Sequence, residues 1–194
     1  RARKDPVAEA NRLLNTTIED IQGGMRFVDD AMFLQQMSVY AVTPPLSFNA
    51  KLITAARNHS QYLFDTGQQS HGGPGPTDTL VERIATVDYL WSGLGENVYS
   101  YAYDVEYGHA GFEVDWTGAP AANGNGGMQT PPGHRNSIHD TGFVEIGIGV
   151  VNGFNTVGNR PRVGPQLVTQ DFATPGFDSP TFNTSFITGV AYYD

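Results

Sequence analysis

Histidine and acidic side chains occur in four short stretches of this sequence that could support metal or acid–base chemistry. These are "SHGG", "GENV", "HAGFEVDW" and "PPGHRNSI", which contain His71, Glu96, His109 with Glu113, and His134. Two neutral imidazoles can supply two nitrogen ligands to a divalent cation and leave its other positions to water. A nearby carboxylate can orient a ligand imidazole or accept a proton from metal-bound water. Each stretch on its own is also typical of an ordinary structural hydrogen bond.

The stretch around His109 and Glu113 leaves a choice open. The two side chains are four residues apart, so on a helix they share a face. That spacing suits a pair of metal ligands and suits an ordinary surface contact equally well. His59, by contrast, lies within the apolar spacing of a strong helix and is interpreted as a packing residue.

Composition restricts the class of protein. The 194 residues carry a formal net charge of −9 and include no cysteine. Disulfides, thiolate zinc sites and cysteine nucleophiles are therefore excluded, and nucleic acid or an anionic membrane surface would be repelled at long range. No run of 18 apolar residues predicts a membrane span. Because the chain starts without Met, we interpret it as a processed protein or a domain of a longer one.

Several helices are predicted in the first two thirds of the chain. The first begins at Pro6 with Asp5 as its N-cap, and a longer one covers "NAKLITAARNHSQYLFDTG" and ends at Gly67. The segment "TDTLVERIATV" predicts a shorter helix capped by Thr77 or Asp78, and "DVEYGHAGFEVDW" predicts another. These helices would position the histidine-containing turns at their ends.

Strands are predicted mainly later in the chain. The segments "FVEIGIGVV" and "GPQLVTQDFAT" alternate as strands, and the loop "NGFNTVGNRPRV" between them favours an antiparallel pair. The end of "GLGENVYSYAY" suits a strand or a loop. Helices that precede strands favour an α+β fold with an antiparallel sheet over alternating βαβ units.

The order of the motifs resembles that of the CAP superfamily, which includes cysteine-rich secretory proteins, antigen 5 and pathogenesis-related proteins, and most closely its bacterial SCP-like branch. The matching segments run in family order from residue 1 to about residue 174. They are "RARKDPVAEANRLL", "PPLSFNAKLITAARNHSQYL", "SHGGPGPTDTLVERI", "LGENVYS", "PPGHRNSIHDTGFVEIGIGVV" and "LVTQDF".

The resemblance implies an α-β-α sandwich in which helices flank a central antiparallel sheet, with a large cleft. In much of the family two histidines and two glutamates line that cleft, and in several members the histidines bind a divalent metal such as zinc. His71 matches the first histidine, Glu96 the "GEN" glutamate and His134 the second histidine. His71 and His134 are thus the implied metal ligands, and no organic cofactor is expected.

The fourth cleft position departs from the family pattern. Eukaryotic members have a glutamate three residues after a helix tryptophan, whereas here Ala119 stands three residues after Trp116. Glu113 is the candidate for this position, and Asp115 and His109 are the alternatives. With only two nitrogen ligands, metal affinity should be modest and should fall as the histidines protonate near pH 6.

The predicted domain covers residues 1–174, and residues 175–194 are predicted to be a linker followed by the possible first strand of an appended extracellular β module. An extra edge strand or a docked tail is the alternative for this segment. The resemblance implies an exported bacterial protein, secreted or at the cell surface.

Three classes of function remain open at this stage. The first is a binding module whose cleft captures a lipid, glycan or peptide with the help of a divalent metal, zinc being the expected ion. The second is a metal-dependent hydrolase of peptides, esters or glycans that uses His71, Glu96 and His134. The third is a structural or adhesive domain in which the histidines only stabilise the fold. Whether the protein is an enzyme is left open, because a fold does not fix one reaction.

Overall fold

A computed structural model describes residues 1–73, 78–120, 124–157 and 160–179 of the chain. The helices are α1 (Pro6–Leu14), α2 (Glu19–Met25), α3 (Asp30–Ser38), α4 (Ala50–Thr66), α5 (Leu80–Ala85), α6 (Val105–Val114) and α7 (Gly133–His139). The strands are β1 (Ser47–Phe48), β2 (Trp91–Ala102), β3 (Glu145–Asn152), β4 (Asn155–Val157), β5 (Arg160–Val163) and β6 (Gln166–Pro175).

A four-stranded sheet with the order β1-β3-β6-β2 forms the middle layer. Strand β6 pairs antiparallel with both β3 and β2, so β2 is an edge strand. The two-residue strand β1 pairs parallel with β3 at the opposite edge. A separate hairpin, β4-β5, lies within the connection between β3 and β6.

Helices cover both faces of this sheet. Helix α4 packs against β3 and β6, and α5 contacts α4 and β2. On the other face, Ile146, Val168 and Phe172 of the sheet pack with Phe112 of α6 and Ile138 of α7. A second apolar cluster joins α1, α2 and α3 to α6. The predicted α+β sandwich with a central, mainly antiparallel sheet flanked by helices is therefore confirmed.

Glycines in β3 let α4 lie directly on the sheet. A Cβ atom at Gly147 would lie 2.0 Å from the backbone carbonyl carbon of Leu52, and one at Gly149 would lie 2.2 Å from the carbonyl oxygen of Ala56. The alternating "GIG" pattern therefore places isoleucines on one face of the strand and, on the other, a surface that accepts the helix backbone.

The predicted helix boundaries hold at α4 and need correction at α5. Asn49 caps α4, and Gly67 ends it in the left-handed region with φ +65°. Helix α5 is capped by Thr79 and not by Asp78, and Thr77 lies outside the described residues. The Thr79 hydroxyl accepts from the Glu82 N–H while the Glu82 carboxylate accepts from the Thr79 N–H, which completes a capping box.

Most of the predicted C-terminal module lies outside the described residues, which end at residue 179. The linker and β module therefore stay predictions. Among the described helices, none has the length and apolar character that a membrane crossing requires.

Substitution of Gly147 tests the close contact between α4 and β3. We expect Gly147→Ala to lower the free energy of unfolding by about 3 kcal/mol, because a methyl group would push the helix backbone away from the sheet. Urea denaturation measures the change. Gly23→Ala is the matched control, because a Cβ there meets no atom within 4 Å and alanine favours the helix by about 1 kcal/mol. Equal changes in the free energy of unfolding for the two variants would contradict the close contact between α4 and β3.

Candidate functional site

The edge strand β2 carries the "GEN" segment and directs two of its side chains to opposite faces of the sheet. Glu96 is the cross-strand partner of Asp171, and Asn97 is the partner of Gln170. Because successive residues of a strand alternate between faces, Glu96 lies on the α4 and α5 face. Asn97 lies on the α6 and α7 face.

Glu96 is almost fully buried and accepts from two partners. Its Oε1 lies 2.9 Å from His71 Nδ1, and its Oε2 forms a short ion pair with the Arg83 guanidinium. The Nε2 atom of His59 lies 3.8 Å from the same Oε2. Burial acts to raise the pKa of Glu96, but the hydrogen bond from His71 and the positive charge of Arg83 outweigh it, so the pKa lies below its ordinary value.

Arg83 connects Glu96 to the loop that carries His71. Besides its ion pair with Glu96, its guanidinium donates to the backbone carbonyl of His71 at 3.0 Å. The capping box at the start of α5 places Arg83 at the fourth residue of a short helix whose inner side packs on the sheet. Sequence reasoning missed Arg83, since nothing in "LVERI" separates a buried cation from an ordinary surface one.

The His71 loop is fixed through its backbone, while the imidazole remains accessible. The carbonyl of Ser70 accepts from His59 Nε2 at 2.9 Å, and the Ser70 hydroxyl accepts from the Gly72 N–H at 2.9 Å. The His71 side chain is 62% exposed. A carboxylate on Nδ1 selects the tautomer with a proton on Nδ1, so Nε2 keeps its lone pair for a ligand.

His134 has the same kind of support on the other face. The Asp115 carboxylate accepts from His134 Nδ1 at 2.6 Å and from the His134 backbone N–H at 2.9 Å. The His134 ring is 21% exposed, whereas the Asp115 side chain is fully buried. Within the described residues, neither His134 nor His71 has a hydrogen-bond partner at Nε2.

Asp115 reaches His134 because α6 ends there in an unusual conformation. Asp115 has φ +57° and ψ +42°, the left-handed region that few residues other than glycine, asparagine and aspartate adopt. The fully buried Arg135 fixes this turn by donating to the carbonyl of Glu113 at 2.7 Å and to the carbonyl of Val114. The last carbonyls of α6 are thereby paired with the helix that carries His134.

Glu113, the candidate for the fourth cleft position, lies elsewhere. Its Oε1 is hydrogen-bonded to Nε2 of His139, and both side chains are fully buried. The carboxylate beside His134 is that of Asp115, one of the two alternatives. The other alternative, His109, lies against Glu9 of α1 with Nε2 2.8 Å from its Oε1. Despite burial, the hydrogen bonds from His109 and Arg12 lower the pKa of Glu9 to about 2.

Asn97 links the two histidine sites through the sheet. Its side-chain amide donates to the backbone carbonyl of His134 at 3.0 Å and to Gln170 Oε1 at 3.1 Å. Consecutive residues of one edge strand therefore hold the ring of His71 and the backbone of His134. The structure brings His71 to Glu96 and His134 to Asp115, and it leaves Glu113 outside both pairs.

A cavity of about 300 Å³ opens beside His134. Its lining combines aromatic rings with amide and hydroxyl side chains and extends to Gln69, two residues before His71. The lining residues are Gln69, Val98, Tyr99, Tyr107, Gly111, Phe112, Trp116, Thr117, Gly118, Gln129 and His134. Tyr107 packs 5.2 Å from Trp116, and Phe112 packs 5.3 Å from His134, as measured between ring centroids.

The donor set for a metal is limited. In the described ranges, no group of three or more His, Cys, Asp or Glu side chains is arranged to hold a metal ion. What these ranges offer is the free Nε2 of His71 and of His134, each on a ring oriented by a carboxylate. That chemistry fits an ion that keeps water at most of its positions.

Comparison with known proteins agrees with this architecture. A family model described as the cysteine-rich secretory protein family, CAP, matches residues 41–172. The chain belongs to this family. A search of curated proteins found no significant match.

Two bacterial structures are similar to this chain. One is an extracellular protein containing an SCP domain from Bacillus anthracis, with 19% sequence identity and a TM-score of 0.50. The match covers 82% of this chain and 45% of that protein, so this chain spans less than half of its length. The other is an outer surface protein from Borrelia burgdorferi, with 13% identity, a TM-score of 0.46, and coverage of 90% and 96% of the two chains.

Glu96→Gln tests the buried ion pair. At pH 7 we expect it to lower the free energy of unfolding by about 3 kcal/mol, because Arg83 would be left buried without its carboxylate. Folding lowers the pKa of Glu96, so its contribution is present above the pKa of an unfolded glutamate and is lost as the pH falls through the folded value. The difference from the wild type should therefore shrink towards acid pH in denaturant titrations.

Glu106→Gln is the control for this experiment. Glu106 is half exposed and pairs with Arg12, so its loss should cost less than about 1 kcal/mol. If Glu96→Gln lowers the free energy of unfolding equally at pH 3 and pH 7, the loss comes from the shape of the side chain and not from its charge.

Proposed function

We propose that this chain is a binding domain whose cavity beside His134 takes a neutral glycan. The observation that carries the proposal is the mixed lining of the cavity, in which aromatic rings alternate with amide and hydroxyl groups. Among the described lining residues none is Asp, Glu, Lys or Arg. A volume of about 300 Å³ is at the lower end of the range for small-molecule pockets.

The lining favours a glycan over a lipid or a peptide. A sugar ring has apolar C–H faces that pack on aromatic rings and hydroxyl groups that need donors and acceptors. A lipid chain would cover Gln129 and the Nε2 atom of His134 without offering either of them a polar partner, which is unfavourable for groups that lose water. A charged peptide would find no counter-charge in the described lining.

Exposed aromatic residues extend the cavity outward. Tyr103 is 55% exposed and its ring centroid lies 4.5 Å from that of Tyr107, a lining residue. Tyr101 is 47% exposed and packs edge-on to Tyr99. These rings could support a second sugar unit, so the proposed ligand is an oligosaccharide rather than a single sugar.

A divalent metal, zinc being the expected ion, is the second part of the proposal. His71 and His134, whose sites lie on either side of the edge strand β2, would hold it through Nε2, oriented by Glu96 and Asp115. When bound, the ion would supply a Lewis-acidic contact for a ligand oxygen. Two imidazoles leave most coordination positions to water, so the affinity should be modest.

The hydrolase alternative receives less support from the contacts of Glu96. A general base needs a carboxylate oxygen that is free to take a proton. Both Glu96 oxygens are engaged, one by His71 and the other by Arg83. Glu96 therefore acts as a positioning residue for His71.

The structural alternative also receives less support. The His71 ring is mostly exposed, so its removal would lose little buried apolar surface.

An exported protein remains our inference for location, since the similar protein from Bacillus anthracis is described as extracellular.

Glycan binding is tested with a panel of short neutral oligosaccharides, followed by titration calorimetry on any that bind. We expect Trp116→Ala to weaken binding about tenfold, which corresponds to ~1.4 kcal/mol, because it removes an aromatic wall. Gln129→Ala, at an exposed lining position, should also weaken binding without disturbing the core. Phe48→Ala is the control, since Phe48 is exposed at the opposite edge of the sheet. Binding that responds only to acyl chains would overturn the glycan assignment.

Zinc binding is tested separately by calorimetry with zinc alone. His71→Ala and His134→Ala should each reduce the affinity strongly, and Asp115→Asn should reduce it about tenfold or more by releasing the His134 ring. Affinity should fall as the pH is lowered, because protons compete with zinc for the imidazole nitrogens. His109→Ala is the control, because His109 is held by Glu9. If zinc binds the wild type and both histidine variants equally, His71 and His134 are not its ligands.

A further inference from the structure

Asp171 is a fully buried carboxyl group in the centre of the sheet. It lies on β6, directly opposite Glu96 on one side and Gly147 on the other. Its side chain therefore shares the α4 and α5 face with Glu96. Its segment, "LVTQDF", carries part of the family resemblance, but the sequence predicts no role for this aspartate.

The donors near Asp171 and Glu96 mostly bind other acceptors, but Arg83 Nε and His59 Nδ1 have no hydrogen-bond partner within the described residues. Within the described residues neither Asp171 oxygen meets an N–H or O–H donor. The Arg83 guanidinium binds Glu96, and the His59 ring is hydrogen-bonded through Nε2 to the Ser70 carbonyl. Gly147 of β3 offers no side chain. An ionised Asp171 would be a buried charge without a partner, which is strongly unfavourable.

A hydrogen bond between the carboxyl groups of Asp171 and Glu96 requires a proton. Two ionised carboxylates are acceptors only, so adjacent buried carboxyl groups hold one proton between them. Glu96 has a cation and an imidazole as partners and is the better site for the negative charge. Burial, followed by the negative charge of Glu96, raises the pKa of Asp171 well above its ordinary value.

We propose that Asp171 is a neutral carboxylic acid that donates its hydroxyl proton to Glu96 and so helps to hold Glu96 against His71. The Glu96 carboxylate has lone pairs beyond those used by His71 and Arg83, so it can accept a third hydrogen bond. The pair thus carries one proton and one negative charge. This inference does not depend on the ligand of the cavity or on a bound metal.

The contribution of the Asp171 and Glu96 pair to the stability of the native state depends on pH in a defined direction. The groups that face the pair are Arg83 from α5, His59 from α4 and His71 from the loop before α5. Strand β3 places Gly147 opposite Asp171 and the buried Glu145 two residues away on the same face. A carboxyl whose pKa is raised by folding stabilises the native state most below the pKa of an unfolded aspartate. That contribution is lost as the pH rises towards the folded pKa.

The test compares the wild type with Asp171→Asn, whose amide keeps a donor towards Glu96 and cannot ionise. Above about pH 4 the melting temperature of Asp171→Asn should rise relative to the wild type by about 3 °C per pH unit until Asp171 ionises. The ¹³Cγ resonance of Asp171, assigned by its loss in the variant, should remain that of a protonated carboxyl above the pH at which an unfolded aspartate ionises. In a Glu96→Gln background the relative rise should become smaller, because the neighbouring negative charge is gone.

Asp20→Asn is the matched control, because Asp20 is exposed on α2. Its melting temperature should follow that of the wild type across this pH range. An Asp171 resonance that titrates at the position of an ordinary aspartate would overturn the proposal. A difference in melting temperature between Asp171→Asn and the wild type that is the same at every pH would overturn the proposal as well. If Asp171→Asn fails to fold, the carboxyl resonance of the wild type still decides between the two states.

Discussion

The buried ion pair between Arg83 and Glu96 is the constraint on which the histidine site on this face depends. A glutamate that is almost fully buried on an edge strand needs a cation and further donors. The short helix α5 supplies the cation, and the loop before it supplies the His71 imidazole. Because Arg83 also donates to the His71 carbonyl, one side chain fixes both the charge and the backbone of the loop. The path of residues 68–73 is thus set by electrostatics more than by apolar contact.

The edge position of β2 explains how one strand can serve two sites. In the described part of the chain no strand pairs with its outer edge, and Gln69 accepts from the N–H of Ser100 at 2.8 Å. The loop that carries His71 therefore lies along an edge that would otherwise be open. Glu96 and Asn97 then act on opposite faces because a strand alternates its side chains. A shift of either residue by one position along β2 would place its side chain on the opposite face of the sheet.

Much of this arrangement could be predicted from the sequence, and the exceptions have physical causes. The apolar spacing of α4 and the alternation of β3 and β6 are local patterns, and they gave correct elements. Asp115 could not be separated from Glu113 by spacing, since the choice depends on a left-handed residue just after α6. The roles of Arg83 and Asp171 depend on cross-strand register and on helix packing, which no local pattern encodes.

The two histidine sites reach the same chemical state by different local structures. On one face a glutamate in an edge strand accepts from His71 Nδ1, and on the other an aspartate at a helix end accepts from His134 Nδ1. In both cases the carboxylate is buried and the imidazole is more exposed than its partner. The feature that the two sites share is an oriented Nε2 lone pair. A fold that only needed hydrogen bonds to these carboxylates could obtain them from fully buried rings, as Glu113 does from His139. The exposed Nε2 atoms are therefore the part of the site that stability alone does not explain.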